Sequence, residues 1–195
     1  MQKSCDRRVR KTEAQLVKGL TKLMKTKSIK EITVKELADE VDINRSTFYL
    51  HYKDIYDMVE KIENSLTQNL LSTLDELSKN RVTKSTIAEL LQDTYNIIYS
   101  NCDICAVLLS KNGDISFHNK ISKIIYDKIH TIIKNAMVDS STENEVTIAT
   151  HYFISGIVGI IEVWLQDITL GTPEYITDMS IRLIESGIRT FNIKE

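Results

Sequence analysis

Proline is almost missing from this chain, with Pro173 the single example, and only six glycines occur in 195 residues. A sandwich or barrel of short strands needs turn residues at close intervals, and strand-type alternation is absent over any useful length, so the sequence predicts an all-α protein. Cysteine is scarce as well. Three residues, an odd number without framework spacing, exclude a disulfide-stapled scaffold and fit a reducing cytoplasm. Cys102 and Cys105 form a C-x-x-C, yet no second such pair or paired-histidine motif follows to complete a zinc site, and no βαβ context surrounds it for thioredoxin-like chemistry. Ordinary packing is expected for both, with no metal and no cofactor.

Long apolar runs are lacking too. The most apolar stretch, Tyr152 to Leu165, is interrupted by Ser155 and Glu162 and falls short of the ~18 residues of a membrane span, so a buried helix and no membrane partner are expected. No basic leader with an apolar run and a small-residue cleavage site opens the chain, which again points to the cytoplasm. Enzymatic function is disfavoured, because there is no nucleophile, base and acid set, no phosphate-binding glycine loop, and the four histidines pair in no plausible motif.

Charge, by contrast, is abundant and lopsided. Residues 1–30 hold ten bases (Lys3, Arg7, Arg8, Arg10, Lys11, Lys18, Lys22, Lys25, Lys27, Lys30) against Asp6 and Glu13, about +8 in a chain of net charge −2, which leaves about −10 for the remainder. Such a field suits an arm and first helix lying along a polyanion, where each neutralised phosphate releases counterions. At 195 residues the chain has room for one mid-sized domain or two small ones, and a chain of this size buries about 70% of the surface its unfolded form exposes.

The segment from Ile32 to Tyr52 reads as two short helices joined by a tight turn. Thr33 and Glu36 have the spacing of a reciprocal capping box, with Ile32 placed to pack on Leu37, and Val34, Leu37, Ala38 and Val41 share one face. Asn44 caps the second helix and Ile43 can pack on Phe48; only Asp42 and Ile43 separate the caps. So short a connection forces the sharp angle of a helix-turn-helix and leaves Arg45, Ser46, Thr47, Tyr49 and His51 as candidates for the outer side.

Around this unit the helical pattern continues. A first helix is expected over about Asp6 to Thr26, with Leu16, Leu20, Leu23 and Met24 as its buried stripe. A long helix follows the Asp54 cap, with Ile55, Met58, Val59, Ile62, Leu66, Leu70, Leu74 and Leu77 on one side. After a polar break at Lys79 to Ser85, helical spacing resumes through Ile87 to Ile98, pauses at Asn101 and continues to Leu109. Lys111 to Asp114 is the clearest loop, and Ile121 to Ile133 define another helix, ending before the Asp139 to Thr142 cluster. The last pair, about 143–168 and 173–192, is apolar enough to suggest a homodimer interface. Ser155, Gly156 and Gly159 leave a flat strip for close approach, and Thr172-Pro173 starts the final helix. About nine helices result.

The run from Ile32 to Met58 resembles the TetR family of bacterial transcriptional regulators, whose helix-turn-helix ends in a motif like T-x-Y-x-H-F followed by a lysine; here it stands as Thr47-Phe48-Tyr49-Leu50-His51-Tyr52. Phe153 to Gly156 and Glu162 to Leu165 resemble the body of a subgroup that includes the dihydroxyacetone-kinase regulators. The resemblance implies a three-helix DNA-binding head, residues 1–53, and a helical effector-binding and dimerisation body, residues 54–195. Chemistry and resemblance together make Thr33, Lys35, Tyr49 and Lys53 phosphate contacts, make Arg45, Ser46, Thr47 and Leu50 candidates for base edges, and leave His51 a phosphate or packing contact. Ile55 stands where many members have a lysine, so that contact is expected to pass to Lys53. Function is then expected to be that of a ligand-responsive repressor, homodimeric on a pseudo-palindromic double-stranded operator. Tyr95, Tyr99, Phe117, His118, His151 and Trp164 are candidate walls of a small-molecule pocket, and a regulator controlled by a protein partner is the alternative.

Overall fold

The structure is a computed structural model that describes residues 2–79, 84–110, 115–136 and 142–188. Nine α-helices lie among the described residues: α1 (Gln2–Met24), α2 (Val34–Glu40), α3 (Arg45–Tyr49), α4 (Ile55–Lys79), α5 (Lys84–Ser100), α6 (Cys102–Leu108), α7 (Ile115–Ala136), α8 (Glu143–Gln166) and α9 (Pro173–Ile188), with 3-10 turns at Ile29–Glu31 and Ile168–Leu170. They divide into two compact units, Met1–Ser65 with Asp103–Ile115, and Leu66–Cys102 with Ser116–Glu195. Helix α4 runs from the first into the second. The expected loop at 111–114, residues 80–83 of the expected polar break, residues 139–141 of the expected polar cluster and the final Phe191 lie outside the described residues.

In the first unit, α1 begins before the expected Asp6 and stops at Met24, because the N–H groups of Thr26 and Lys27 both donate to the Leu23 carbonyl at 3.2 and 3.0 Å. The 3-10 turn that follows was not foreseen. It is closed by a reciprocal box in which Ser28 N–H donates to Glu31 Oε2 at 2.9 Å and the Ser28 hydroxyl accepts from the turn. Only half of the expected box forms at α2: Thr33 Oγ1 accepts from Glu36 N–H at 3.2 Å, but the Glu36 carboxylate turns to Lys27. Leu16, Leu20, Met24, Leu37, Phe48 and Met58 are fully buried. Gly19 is needed where α1 meets α2, since a Cβ there would stand 2.2 Å from Val41 Cγ1 and 3.1 Å from Leu37 Cδ1.

Three apolar clusters build the second unit. Leu74, Leu90 and Ile132 join α4, α5 and α7. Leu91, Tyr95, Trp164 and Ile176 join α5, α8 and α9. Val146 and Ala149 of α8 take Ile133 of α7 and Phe153 against them. Helix α8 starts with a second reciprocal box, Thr142 with Glu145, also unforeseen from the sequence. At 24 residues, with an 18-residue stretch of mean hydropathy 1.6, it is long and apolar enough to cross a membrane by length and composition, which corrects the expectation that its apolar stretch falls short. Burial covers one stripe, Val146, Ala149, Thr150 and Trp164, while Ile148, Tyr152 and Val163 are exposed.

Candidate nucleic-acid interface

Helix α3 has only five residues, too few to be stable alone, so its aim is set by what holds its ends. At its start Asn44 Oδ1 accepts from Ser46 N–H at 3.0 Å. Before it, the chain turns at Asp42 with φ 53°, the one non-glycine residue with positive φ among the described residues. Aspartate tolerates that left-handed conformation better than most side chains. Ile43 N–H then returns to the Ala38 carbonyl at 3.0 Å, which fixes the angle between α2 and α3.

The two sides of α3 differ sharply. Phe48 is fully buried and contacts Tyr52, itself 8% exposed, at 5.6 Å between ring centroids. Tyr49 is 57% and Leu50 84% exposed, Arg45 and Ser46 are exposed, and Thr47 is half-buried. Lys35 and Lys53 are exposed, and Thr33 is exposed with its hydroxyl proton free to donate while its oxygen caps α2. His51 is set apart from this group. Its ring turns inward, 9% exposed, with Nδ1 3.3 Å from Glu13 Oε1 of α1. Ile55 is buried at 4% exposure, as a first-turn core residue of α4 rather than a phosphate contact.

Around the recognition helix the electrostatics are partly neutralised. Lys22 pairs with Glu40 at 2.6 Å, Lys27 with Glu36, and Lys25 with Asp103 at 3.7 Å. Three of the ten N-terminal bases therefore answer acids of their own unit, and the polyanion field is smaller than the sequence count suggests. Arg7, Arg8, Lys11, Lys18 and Lys30 are exposed. Two groups missed by sequence reasoning hold the rear of α3, Glu13 on α1 and Lys61 on α4. The i,i+4 spacing of Asp57 and Lys61 was the only signal for the second.

Candidate pocket residues do not form one wall. Tyr95 and Trp164 are fully buried at 5.7 Å with rings edge to face; the Tyr95 hydroxyl is 2.7 Å from Ser180 Oγ, and Trp164 Nε1–H donates to the Gly171 carbonyl at 2.9 Å. Burial raises the Tyr95 phenol above its ordinary range. Half-exposed Tyr99 stacks on Trp164 at 5.9 Å, and His151 lies instead beside Tyr126, 4.8 Å between centroids. The side chains of Phe117 and His118 lie outside the described residues. Cys105 is buried and Cys102 half-buried on α6, and no group of three or more metal-ligating side chains occurs among the described residues.

The family signature described as the TetR transcriptional regulator C-terminal region matches residues 85–186. An uncharacterised helix-turn-helix regulator of Bacillus subtilis (strain 168), YxbF, is 23% identical over 181 residues, 88% of this chain and 44% of that protein, so the chain spans less than half of this curated relative. Among solved structures, NalD, the secondary repressor of the MexAB-OprM multidrug efflux pump of Pseudomonas aeruginosa, superposes with TM-score 0.68 at 13% identity, covering 91% of this chain and 95% of that one. The dihydroxyacetone kinase operon activator DhaS superposes with TM-score 0.54 at 13% identity, over 93% and 98% of the two chains.

A capped helix-turn-helix followed along the chain by helices that match a regulator's C-terminal region defines the class, a DNA-binding transcriptional regulator. The chain belongs to the TetR family. Regulators of this family bind DNA operators and dimerise.

Proposed function

We propose that this chain is a homodimeric repressor that reads a pseudo-palindromic operator in the cytoplasm and releases it when an effector acts on its body. The observation that carries this reading is the two-sidedness of α3, with Phe48 fully buried behind Tyr49 and Leu50 at 57% and 84% exposure. Residues 1–53 act as the head. Tyr49 and Thr33 donate hydroxyl hydrogen bonds to phosphate oxygens, Lys35 and Lys53 add charge, and Arg45, Ser46, Thr47 and Leu50 meet base edges. His51 serves as packing behind them.

Residues 54–195 act as the effector and dimerisation body. Dimerisation through α8 and α9 is supported by an apolar strip that the chain itself leaves uncovered: Ile148, Tyr152, Val163, Tyr175 and Leu183 are at least half exposed, and a Cβ at Gly156 or Gly159 would meet nothing within 4 Å. Two such faces laid together bury that apolar area and need the glycines for close approach. By linkage, an effector that weakens DNA binding is itself bound more weakly in the presence of DNA. The small-molecule form of that effector would meet Tyr99, half-exposed where it stacks on Trp164. A protein partner is the second reading, favoured because Tyr95 and Trp164 are fully buried with their polar atoms bonded within the chain.

Fluorescence anisotropy with labelled duplexes tiled across the DNA upstream of the gene tests the DNA reading. Affinity is expected to fall steeply with salt, and Tyr49→Ala to weaken binding about tenfold, the loss of a charge-assisted hydrogen bond. Salt-insensitive binding, or Tyr49→Ala and Arg45→Ala both equal to the wild type, would sink it.

A further inference from the structure

One ammonium group bonds the backbone of the chain where it leaves the recognition helix. Lys61, in the second turn of α4, donates from Nζ to the backbone carbonyl of His51 at 3.1 Å. The same nitrogen lies 3.0 Å from Asp57 Oδ2 and 5.2 Å from the centroid of the Tyr52 ring. A carbonyl just past the C-terminus of a helix has no partner within that helix and carries the negative end of its dipole, so a cation there is well placed. The Tyr52 face lies within cation–π reach.

Asp57 is itself fixed. Its Oδ2 accepts from Lys53 N–H at 2.9 Å, and its own N–H donates to Asp54 Oδ1 at 2.8 Å, at the start of α4. The Lys53 N–H first, and the Lys61 ammonium next, hold its carboxyl below the usual range, so it is charged wherever the protein works. A solvated i,i+4 pair on α4 would need none of the other contacts and would contribute little. Here the pair is turned toward the chain that leaves α3, and all of these groups belong to the unit Met1–Ser65.

We propose that Lys61 is a positioning residue for DNA reading, its ammonium latching α4 to the C-terminal end of α3 and so setting the angle at which Tyr49 and Leu50 meet the groove. This role rests on the DNA-binding reading above. A lysine suits it because its long stem reaches across while three donors serve a carbonyl and a carboxylate together. A shift of α4 would then move the recognition helix through one side chain.

The test compares wild type, Lys61→Met, Lys61→Arg and Asp57→Asn by anisotropy on the best upstream duplex and on a random-sequence duplex, with thermal melts alongside. Lys61→Met is expected to bind the upstream duplex about tenfold more weakly, with binding to random sequence unchanged and Lys61→Arg recovering most of the loss. The slope of log affinity against log salt should stay at the wild-type value, whereas loss of a direct phosphate contact lowers it by about one. Asp57→Asn should weaken specific binding in the same direction and add little on top of Lys61→Met. Wild-type affinity in Lys61→Met, a slope lowered by about one, no rescue by arginine, or full additivity would each overturn the latch while leaving the DNA reading intact. If Lys61→Met does not fold, Asp57→Asn decides alone, by weakened specific binding at the wild-type slope or by wild-type affinity. A wild-type protein that binds no duplex overturns the DNA reading and this role with it.

Discussion

Tyr52 sits behind the recognition helix with its phenol held neutral. Burial first, then the nearby carboxylates of Glu13 and Asp57, push its pKa from the ordinary 10.0 to about 12. The folded protein therefore keeps this proton where the unfolded chain has lost it. The stability it contributes is complete below pH 10 and disappears as pH rises toward 12. Melts of Tyr52→Phe are expected to fall less steeply than those of the wild type across that alkaline window, and parallel curves would refute the assignment. Other residue-level features divide by range. The packing role of Phe48 and the Asn44 cap were legible because each depends on neighbours within a turn or two. Positive φ at Asp42, the turning of Glu36 to Lys27 and the pairing of His51 with Glu13 were not, since each depends on which side chain arrives from elsewhere.

Elements were legible where apolar spacing and a cap coincided, as for the start of α4 after Asp54 and of α9 at Pro173. They were missed where a short capped turn has no periodicity to show, as at Ile29–Glu31. The apolar faces of α1 and α2 were legible, but the part played by Gly19 where they meet was hidden, because a glycine inside a helix says nothing about what lies opposite. Gly19→Ala should gain about 1 kcal/mol of helix propensity and lose about 1–3 kcal/mol by overpacking against Val41. A net fall in urea midpoint is the expected outcome, with part of it regained when Val41→Ala is added. A Gly19→Ala protein more stable than the wild type would show that the close approach is not a constraint.

For the whole molecule, the unfilled strip on α8 makes an unusual forecast. Gly156→Leu should leave the single chain as stable as before or slightly more so, because its Cβ meets nothing within 4 Å and leucine favours a helix over glycine. The same change should halve the mass measured by light scattering, by blocking close approach of a second copy. An unaltered dimer would move the interface elsewhere. Sequence by itself determined the helical class, the capped helix-turn-helix with Arg45, Ser46 and Tyr49 exposed, and the apolar character of the last pair, because periodicity, caps and turn residues act over a few positions. His51, expected on the outer side, turned inward. Only the tertiary structure decided that Tyr95 and Trp164 close on Ser180 and Gly171, that three N-terminal lysines meet acids of their own unit, and that Lys61 reaches the end of α3. Those contacts join groups far apart along the chain or on different helices, and local sequence pattern carries no record of what folding brings face to face.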